Sequence, residues 1–293
     1  MTRWAALIAT LLAASPAGAQ CLGFQCPPGV LGAGASGGTA LPLDGLTTPT
    51  GAYSFRKLRS AHAGPAVKLR RTTGGTQDIG FLGCTGFTGC PIDTAAAGTF
   101  CAATTCFIDT WYDQSGAARD LVQLTAANQP ALVFNCVGSS PCLRTTAATQ
   151  TLASVGTVTP ATGVVSLSVV GQRSATAGCQ WIRQNGATAP NRVVGNAGTW
   201  LIGGSTTFSS AAADSAWHAY VGALNGASTT VRVDSTNSAG SAAGSVNVGT
   251  VQLVGVAGGT CDQFETVIWD NIVLSAGEMV FLTGNQRAYL GLP

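Results

Sequence analysis

Residues 99–116, TFCAATTCFIDTWYDQSG, decide the fold of this 293-residue chain. The first half holds Cys101 and Cys106, which are close enough in sequence to be bonded across a small loop. The run that follows, residues 107–112, predicts a β-strand, and Asp113 in the YDQSG segment has the sequence context of a residue that bonds backbone amides. Further strands are predicted at 131–134, 164–172, 229–233, 251–256 and 266–273. We therefore expect an all-β fold.

Glycine-containing turns separate these segments. Asn185-Gly186 and Asn225-Gly226 each lie between strand-like runs and are typical of β-hairpin turns. Gly74-Gly75 predicts a turn between extended segments at 66–71 and 76–81. The pattern is that of antiparallel strands joined by short connections.

A few short helices are expected as well. Residues 53–62 fit a short helix that ends at Gly64-Pro65, and residues 92–100 fit a second one capped by Asp93 or Thr94. Ser275 and Glu278 have the spacing of a capping box ahead of a closing helix.

The composition favours a β-sandwich over a helical bundle. Only 9% of the residues are charged, 39 are glycine, and Ala, Ser and Thr are abundant. The formal net charge of +2 is too small to indicate a nucleic-acid partner. No stretch approaches the roughly 20 apolar residues that a membrane-spanning helix needs.

The N-terminal segment is typical of an exported protein. Residues 1–19 have a short basic start, an apolar run and a small-residue cleavage site near Ala19, which predicts a Sec-type signal peptide. Residues 20–42 are rich in Gly and Pro and predict an arm, and residues 43–293 predict one sandwich domain. We expect a secreted or periplasmic protein.

The ten cysteines fit an oxidising compartment. Four pairs are close in sequence, and the remaining two cysteines are far enough apart to link distant strands, although spacing alone does not fix the connectivity. No metal site or cofactor is predicted, because His62 and His218 lack cysteine or carboxylate neighbours at ligand spacing. The expected disulfides are Cys21–Cys26, Cys84–Cys90, Cys101–Cys106, Cys136–Cys142 and Cys179–Cys261.

Several of these segments resemble one enzyme family. TFCAATTC at 99–106 and YDQSG at 112–116 are similar to the catalytic domain of α-L-arabinofuranosidase B, glycoside hydrolase family 54. Residues 53–81, ending in TQDIGF, resemble bacterial relatives of that domain, and VGNAGTW at 194–200 is similar to the segment with the family's sugar-contacting tryptophan. Residues 264–292 resemble concanavalin-like sandwiches in general.

The resemblance implies a concanavalin- or lectin-like antiparallel β-sandwich held by disulfides. It also implies arabinofuranosidase chemistry, a carbohydrate partner that contains arabinofuranosyl units, and a role in L-arabinose metabolism. Trp200 and, more weakly, Trp181 are the residues expected to contact the sugar, through an aromatic face against the ring.

The chain departs from the family pattern where the chemistry is expected. Residues 201–208, LIGGSTTF, carry no carboxylate at the place of the family's nucleophile, and no Asp or Glu occurs between Asp120 and Asp214. The family's acid/base Asp follows a Gly-Gly pair, whereas the nearest acid after Gly258-Gly259 is Asp262, about three positions late. The family's two adjacent cysteines are replaced by Gly178-Cys179.

Asp262 and Glu265 are the weak candidates for a displaced catalytic pair. Glycosidases need two carboxyl groups about 5 Å apart for retention or roughly 6.5–9.5 Å apart for inversion. On a regular strand, the odd spacing of Asp262 and Glu265 would direct them to opposite faces. Asp214 and Asp234 fit turn residues, and His218 fits a half-buried strand residue.

Three functions therefore stay open. The chain is an active arabinofuranosidase, a carbohydrate-binding domain without the chemistry, or a disulfide-stapled envelope or adhesion scaffold. Whether it is an enzyme is undecided by the sequence.

Overall fold

The computed structural model describes residues 40–83, 89–155, 164–173, 179–185, 192–196, 199–203, 208–212, 214–239, 250–254 and 259–293. Within those ranges the chain forms twenty β-strands, two α-helices and two short 3₁₀ turns. The helices are α1 (Thr94–Phe100) and α2 (Ala276–Leu290). The strands are β1 (Gly51–Ser54), β2 (Arg56–Lys57), β3 (Val67–Arg71), β4 (Thr76–Ile79), β5 (Cys90–Pro91), β6 (Cys106–Trp111), β7 (Leu121–Val122), β8 (Ala131–Val137), β9 (Ser140–Thr145), β10 (Thr151–Ser154), β11 (Val165–Arg173), β12 (Cys179–Asn185), β13 (Arg192–Asn196), β14 (Thr199–Gly203), β15 (Phe208–Ala212), β16 (His218–Leu224), β17 (Thr230–Val233), β18 (Thr236–Ala239), β19 (Thr250–Val254) and β20 (Cys261–Asp270).

The strands pair in antiparallel fashion throughout the described residues, so the all-β prediction is confirmed. Strand β20 is central, because it pairs with β1, β9 and β11. On one side the pairing continues from β11 to β16, β17 and β18, and the hairpin at Asn225-Gly226 joins β16 to β17 as predicted. On another side β12 pairs with β13 and β19.

The larger hydrophobic core is built around aromatic side chains from three segments of the chain. Trp111 of β6 is fully buried and its ring centroid lies 5.1 Å from that of Phe55, which in turn lies 6.0 Å from Phe264 of β20. A second buried cluster, which includes Trp269 and Leu282, packs α2 against the strands. Burial on this scale supplies the main favourable free energy of a β-rich domain.

Both predicted helix caps are present. The Asp93 side chain accepts a hydrogen bond from the Ala96 amide at the start of α1. At α2, Ser275 and Glu278 form the reciprocal capping box, and Gly291 ends the helix in the left-handed conformation. No helix in the described part of the chain is long and apolar enough to cross a membrane.

The helix predicted for residues 53–62 is wrong. Residues 51–54 form β1 and residues 56–57 form β2, and β1 is buried along its whole length beside β20. Pairing with β20 gives the β1 backbone its hydrogen-bond partners and buries Tyr53 completely. Tertiary pairing has therefore overridden the local helical pattern.

The YDQSG segment has a structural role. Asp113 accepts hydrogen bonds from the amides of Ala52, Ser115 and Arg119 and from the Ser115 hydroxyl. The segment therefore ties the end of β6 to β1, which agrees with the expectation from an Asp ahead of Ser-Gly.

Three of the expected disulfides are bonded in the structure: Cys101–Cys106, Cys136–Cys142 and Cys179–Cys261. Cys90 is also disulfide-bonded, but Cys84 lies outside the described residues. Cys21 and Cys26, like the predicted signal peptide and most of the arm, lie outside them as well.

Candidate functional site

Strand register and one disulfide connect the predicted sugar-contact region to the strand that holds Asp262. Trp200 on β14 is paired with Gly195 on β13, and Gly195 is paired with Cys179 on β12. Because neighbouring strands lie about 4.8 Å apart, Trp200 is roughly 10 Å from Cys179 along this row. Cys179 is bonded to Cys261, the residue that precedes Asp262 on β20. The long-range disulfide therefore links the Trp200 row to the strand with both candidate acids.

For the two tryptophan candidates, the structure describes the backbone only. Trp200 belongs to β14, and Trp181 belongs to β12 at a register shift between Gln180 and Ile182. The side chains of Trp200 and Trp181 lie outside the described part of the structure.

Asp262 is held by an arginine on the neighbouring strand. Arg144 of β9, its register partner, donates from Nε to Oδ1 at 2.6 Å and from Nη2 to Oδ2 at 2.7 Å. The Asp262 side chain is 6% exposed, whereas Arg144 is 36% exposed. Hydrogen bonding to Asp262 raises the pKa of Arg144 above its usual value. A carboxylate bound through both oxygens is poorly placed to act as a nucleophile or to carry a transferable proton.

The sulfur atoms of Cys136 and Cys142 lie within 4.8 Å of the Asp262 carboxylate. Both belong to one disulfide, so neither is the thiolate that a metal ion requires. We identify no other group of three possible metal ligands in the part of the chain that the structure describes.

Glu265 belongs to a different, fully buried network. It accepts hydrogen bonds from Arg56 Nε at 2.7 Å, from Ser54 Oγ at 3.0 Å and from Gln286 Nε2 of α2 at 2.9 Å. Arg56 and Glu265 are each 1% exposed, and the Arg56 guanidinium also lies over the Tyr289 ring, 4.8 Å from its centroid. The network joins β1, β20 and α2, so the Arg56–Glu265 ion pair has a structural role.

The two candidate acids therefore do not converge. A register shift opposite Val170 and Gly171 leaves Phe264 as an extra residue in β20, so strict alternation of faces does not apply between Asp262 and Glu265. Asp262 and Glu265 do not act as a pair, because each carboxylate forms an ion pair with a different arginine.

All twelve Asp and Glu residues of the chain lie in the described ranges. Seven accept hydrogen bonds from backbone amides: Asp44, Asp93, Asp113, Asp120, Asp214, Asp234 and Glu278. Four are bonded to side chains: Asp78, Asp109, Asp262 and Glu265. Asp270 is the exception.

Asp270, at the end of β20, has a buried Oδ1 atom with no hydrogen-bond partner in the described residues. Burial of this carboxyl raises its pKa from 3.8 to about 6, an effect that the positive charge of Arg119 partly offsets. A carboxyl group that keeps its proton at mildly acidic pH has the property of a general acid.

His218 is the centre of a cluster that spacing did not reveal. It donates from Nδ1 to Asp234 Oδ2 at 2.6 Å and from Nε2 to Asp214 Oδ1 at 2.8 Å. The statement that His218 lacks carboxylate neighbours is therefore wrong. Asp214 and Asp234 do stabilise turns, through the Ala216 and Ala219 amides, but they also meet across the imidazole.

The charge state of His218 follows from this geometry. Both ring nitrogens donate only in the imidazolium form, because neutral imidazole has a single N–H. Burial of the ring lowers the pKa of His218, and the hydrogen bonds to Asp234 and Asp214 outweigh that effect, so the net pKa is raised above 6.5. Register between β16 and the β17–β18 turn creates the contact with Asp234, whereas Asp214 lies only four residues before His218.

Comparison with known proteins gives the same family as the sequence motifs. Residues 43–175 match the sequence model of the catalytic domain of α-L-arabinofuranosidase B. A probable α-L-arabinofuranosidase B from Aspergillus terreus is 38% identical over 100 residues, which are 32% of this chain and 19% of that protein. The match thus spans a small part of the curated relative.

Two solved structures share the fold. A mutant of a family 54 α-L-arabinofuranosidase soaked with 4-nitrophenyl α-L-arabinofuranoside has a TM-score of 0.65 and 18% identity, covering 83% of this chain and 63% of that one. An arabinofuranosidase in complex with arabinofuranosyl-α-1,2-xylobiose has a TM-score of 0.62 and 19% identity over the same shares. The predicted antiparallel β-sandwich is thereby confirmed, and residues 43–175 of this chain are similar to the catalytic domain of α-L-arabinofuranosidase B.

Proposed function

We propose that this protein is an exported carbohydrate-binding domain that recognises arabinofuranosyl-containing polysaccharide without hydrolysing it. The observation that carries the proposal is the state of the carboxylates. Asp262 and Glu265 are each bound by a separate arginine, and nine of the other ten are committed to caps, turns or side-chain hydrogen bonds. This supports the absence of the paired carboxyl groups that glycoside hydrolysis requires.

The ligand class is supported by the relatives. The solved structures with the same fold were determined with 4-nitrophenyl α-L-arabinofuranoside and with arabinofuranosyl-xylobiose. The register row that contains Trp200 on β14 runs through β13 to Cys179 on β12, and the disulfide partner of Cys179 precedes Asp262 on β20. Furanose rings bind where an aromatic face lies beside polar groups, and we assign the aromatic face to Trp200.

Export is part of the proposal. The three described disulfides and the cleavage pattern near Ala19 support a secreted or periplasmic location. The arabinose-containing polymer would then be met outside the cytoplasm, which supports a role in L-arabinose metabolism.

The binding test is a titration of the oxidised protein with arabino-oligosaccharides, followed by tryptophan fluorescence and calorimetry. We expect saturable binding that Trp200→Ala abolishes and that Leu124→Ala leaves intact, since Leu124 is 86% exposed. Trp181→Ala tests the second candidate. Binding that survives both tryptophan substitutions would refute the assignment of this row, and no binding at all would favour the scaffold function.

One observation favours the alternative of hydrolysis through displaced carboxylates. Asp270 has a raised pKa of about 6, as a general acid would. Asp270→Asn should abolish turnover if that alternative is right, while Asp262→Asn tests the acid nearest the family's position.

A further inference from the structure

A surface cleft lies between the end of β2 with the segment after it and the segment after β4. Its volume is about 530 Å³, and its walls include Lys57, His62, Pro65, Gly80, Phe81 and Leu82. This is within the range of roughly 300–1,000 Å³ that is typical of small-molecule sites. None of the described residues that line it carries a carboxylate.

Lys57 supplies an uncompensated positive charge. Its side chain is half-buried, and its ammonium group has no hydrogen-bond or ion-pair partner among the described residues. Surface lysines bury their methylene stem and keep the ammonium group in water, and the half-buried Lys57 fits that pattern. Its positive charge beside the cleft favours an anion.

His62 presents a defined hydrogen-bonding edge. Its Nε2 lies 3.1 Å from the Pro65 carbonyl oxygen, which can only accept, so Nε2 carries the hydrogen. In the neutral ring Nδ1 is then an acceptor for a hydroxyl group. The imidazole meets the Phe81 ring edge-on at 5.9 Å, which fixes its orientation.

The remaining walls are apolar or lack side chains. Phe81 is half-buried and Leu82 is 45% exposed, so both present apolar surface to the cleft. At Gly80 an added Cβ would meet nothing within 4 Å, so the glycine leaves the cleft open.

We propose that this cleft binds a hexuronic acid unit of an acidic polysaccharide. The ligand carboxylate pairs with Lys57, a ring hydroxyl donates to His62 Nδ1, and the C–H face of the sugar packs on Phe81 and Leu82. A carboxylate fits better than a phosphate, because a single ammonium group matches one negative charge and the described residues of the walls include no arginine. The site is independent of arabinofuranosyl binding.

The test compares methyl glucuronide with methyl glucoside, which differs in lacking the carboxylate. Binding is followed by the NMR shift of the His62 Cε1–H signal, with the signal of His218 as an internal reference. We expect saturable shifts of His62 with the glucuronide and at least about tenfold weaker binding of the glucoside. Lys57→Gln should remove this preference.

A cleft-filling variant and two bare anions test the site further. Gly80→Leu adds a side chain where a Cβ would meet nothing within 4 Å, and it should block binding of the glucuronide while arabino-oligosaccharide binding is unchanged. Acetate and inorganic phosphate are run as bare anions. Equal binding of glucuronide and glucoside, full binding by Lys57→Gln, or acetate binding as tight as the glucuronide would each overturn the assignment.

Discussion

Replacing Glu265 by Gln should destabilise the protein strongly, because the substitution removes one charge of a buried ion pair. Glu265 accepts four hydrogen bonds, two of them from Arg56, and both side chains are 1% exposed. Breaking one partner of such a pair leaves the other charge buried and costs about 3–5 kcal/mol. For a domain of this size the midpoint of thermal unfolding should fall by roughly 6–20 °C.

The assay is urea and thermal unfolding of the oxidised protein, with Glu278→Gln as the matched control. Glu278 caps α2 at the surface, so its substitution should cost about 1 kcal/mol or less. The double variant Arg56→Met with Glu265→Leu should recover most of the lost stability, because it leaves no unpaired charge. A loss below about 1 kcal/mol for Glu265→Gln, together with loss of turnover on an arabinofuranoside, would refute the structural assignment of Glu265.

Three other outcomes follow from the described contacts. The pKa of His218, measured by NMR titration, should exceed 6.5 and should fall in Asp234→Asn. Because the pKa is raised in the folded state, the stability that this bridge contributes is complete below pH 6.5 and is lost as pH rises through the folded-state pKa. The raised pKa of Asp270 makes the stability of the folded protein fall as pH rises from 3.8 to 6. Asp270→Asn should therefore raise stability by about 1 kcal/mol above pH 6, after allowance for partial exposure, and change it little below pH 3.8. Equal effects at both pH values would contradict this. Asp113→Ala should destabilise the fold by about 2–4 kcal/mol in urea unfolding, because it leaves buried amides of the β1–β6 connection without an acceptor.

The elements that could be predicted from the sequence are those fixed by local chemistry. Ser275 and Glu278 satisfy the first amides of α2 within one turn, so their spacing alone identifies the helix start. Gly74 and Gly75 both have positive φ, 94° and 84°, in the turn between β3 and β4, where a glycine pair was expected. The long-range Cys179–Cys261 bond was expected because the other eight cysteines lie in close pairs.

The features that escaped prediction depend on register between distant strands. Residues 53–62 have a helical pattern, but pairing of β1 with β20 makes a strand there. The contact of His218 with Asp234 requires the β16–β17 register, and the arginine partners of Asp262 and Glu265 lie 118 and 209 residues away. Long-range pairings of this kind are invisible in a single sequence.

We propose that this β-sandwich, which is similar to those of arabinofuranosidases, binds sugar without cleaving it. Release of 4-nitrophenol from 4-nitrophenyl α-L-arabinofuranoside by the purified oxidised protein tests it most directly, in a preparation that binds arabino-oligosaccharides. We predict no release above the blank between pH 4 and pH 8. Turnover that is lost in Asp270→Asn or Asp262→Asn would contradict the account and identify a displaced catalytic carboxylate.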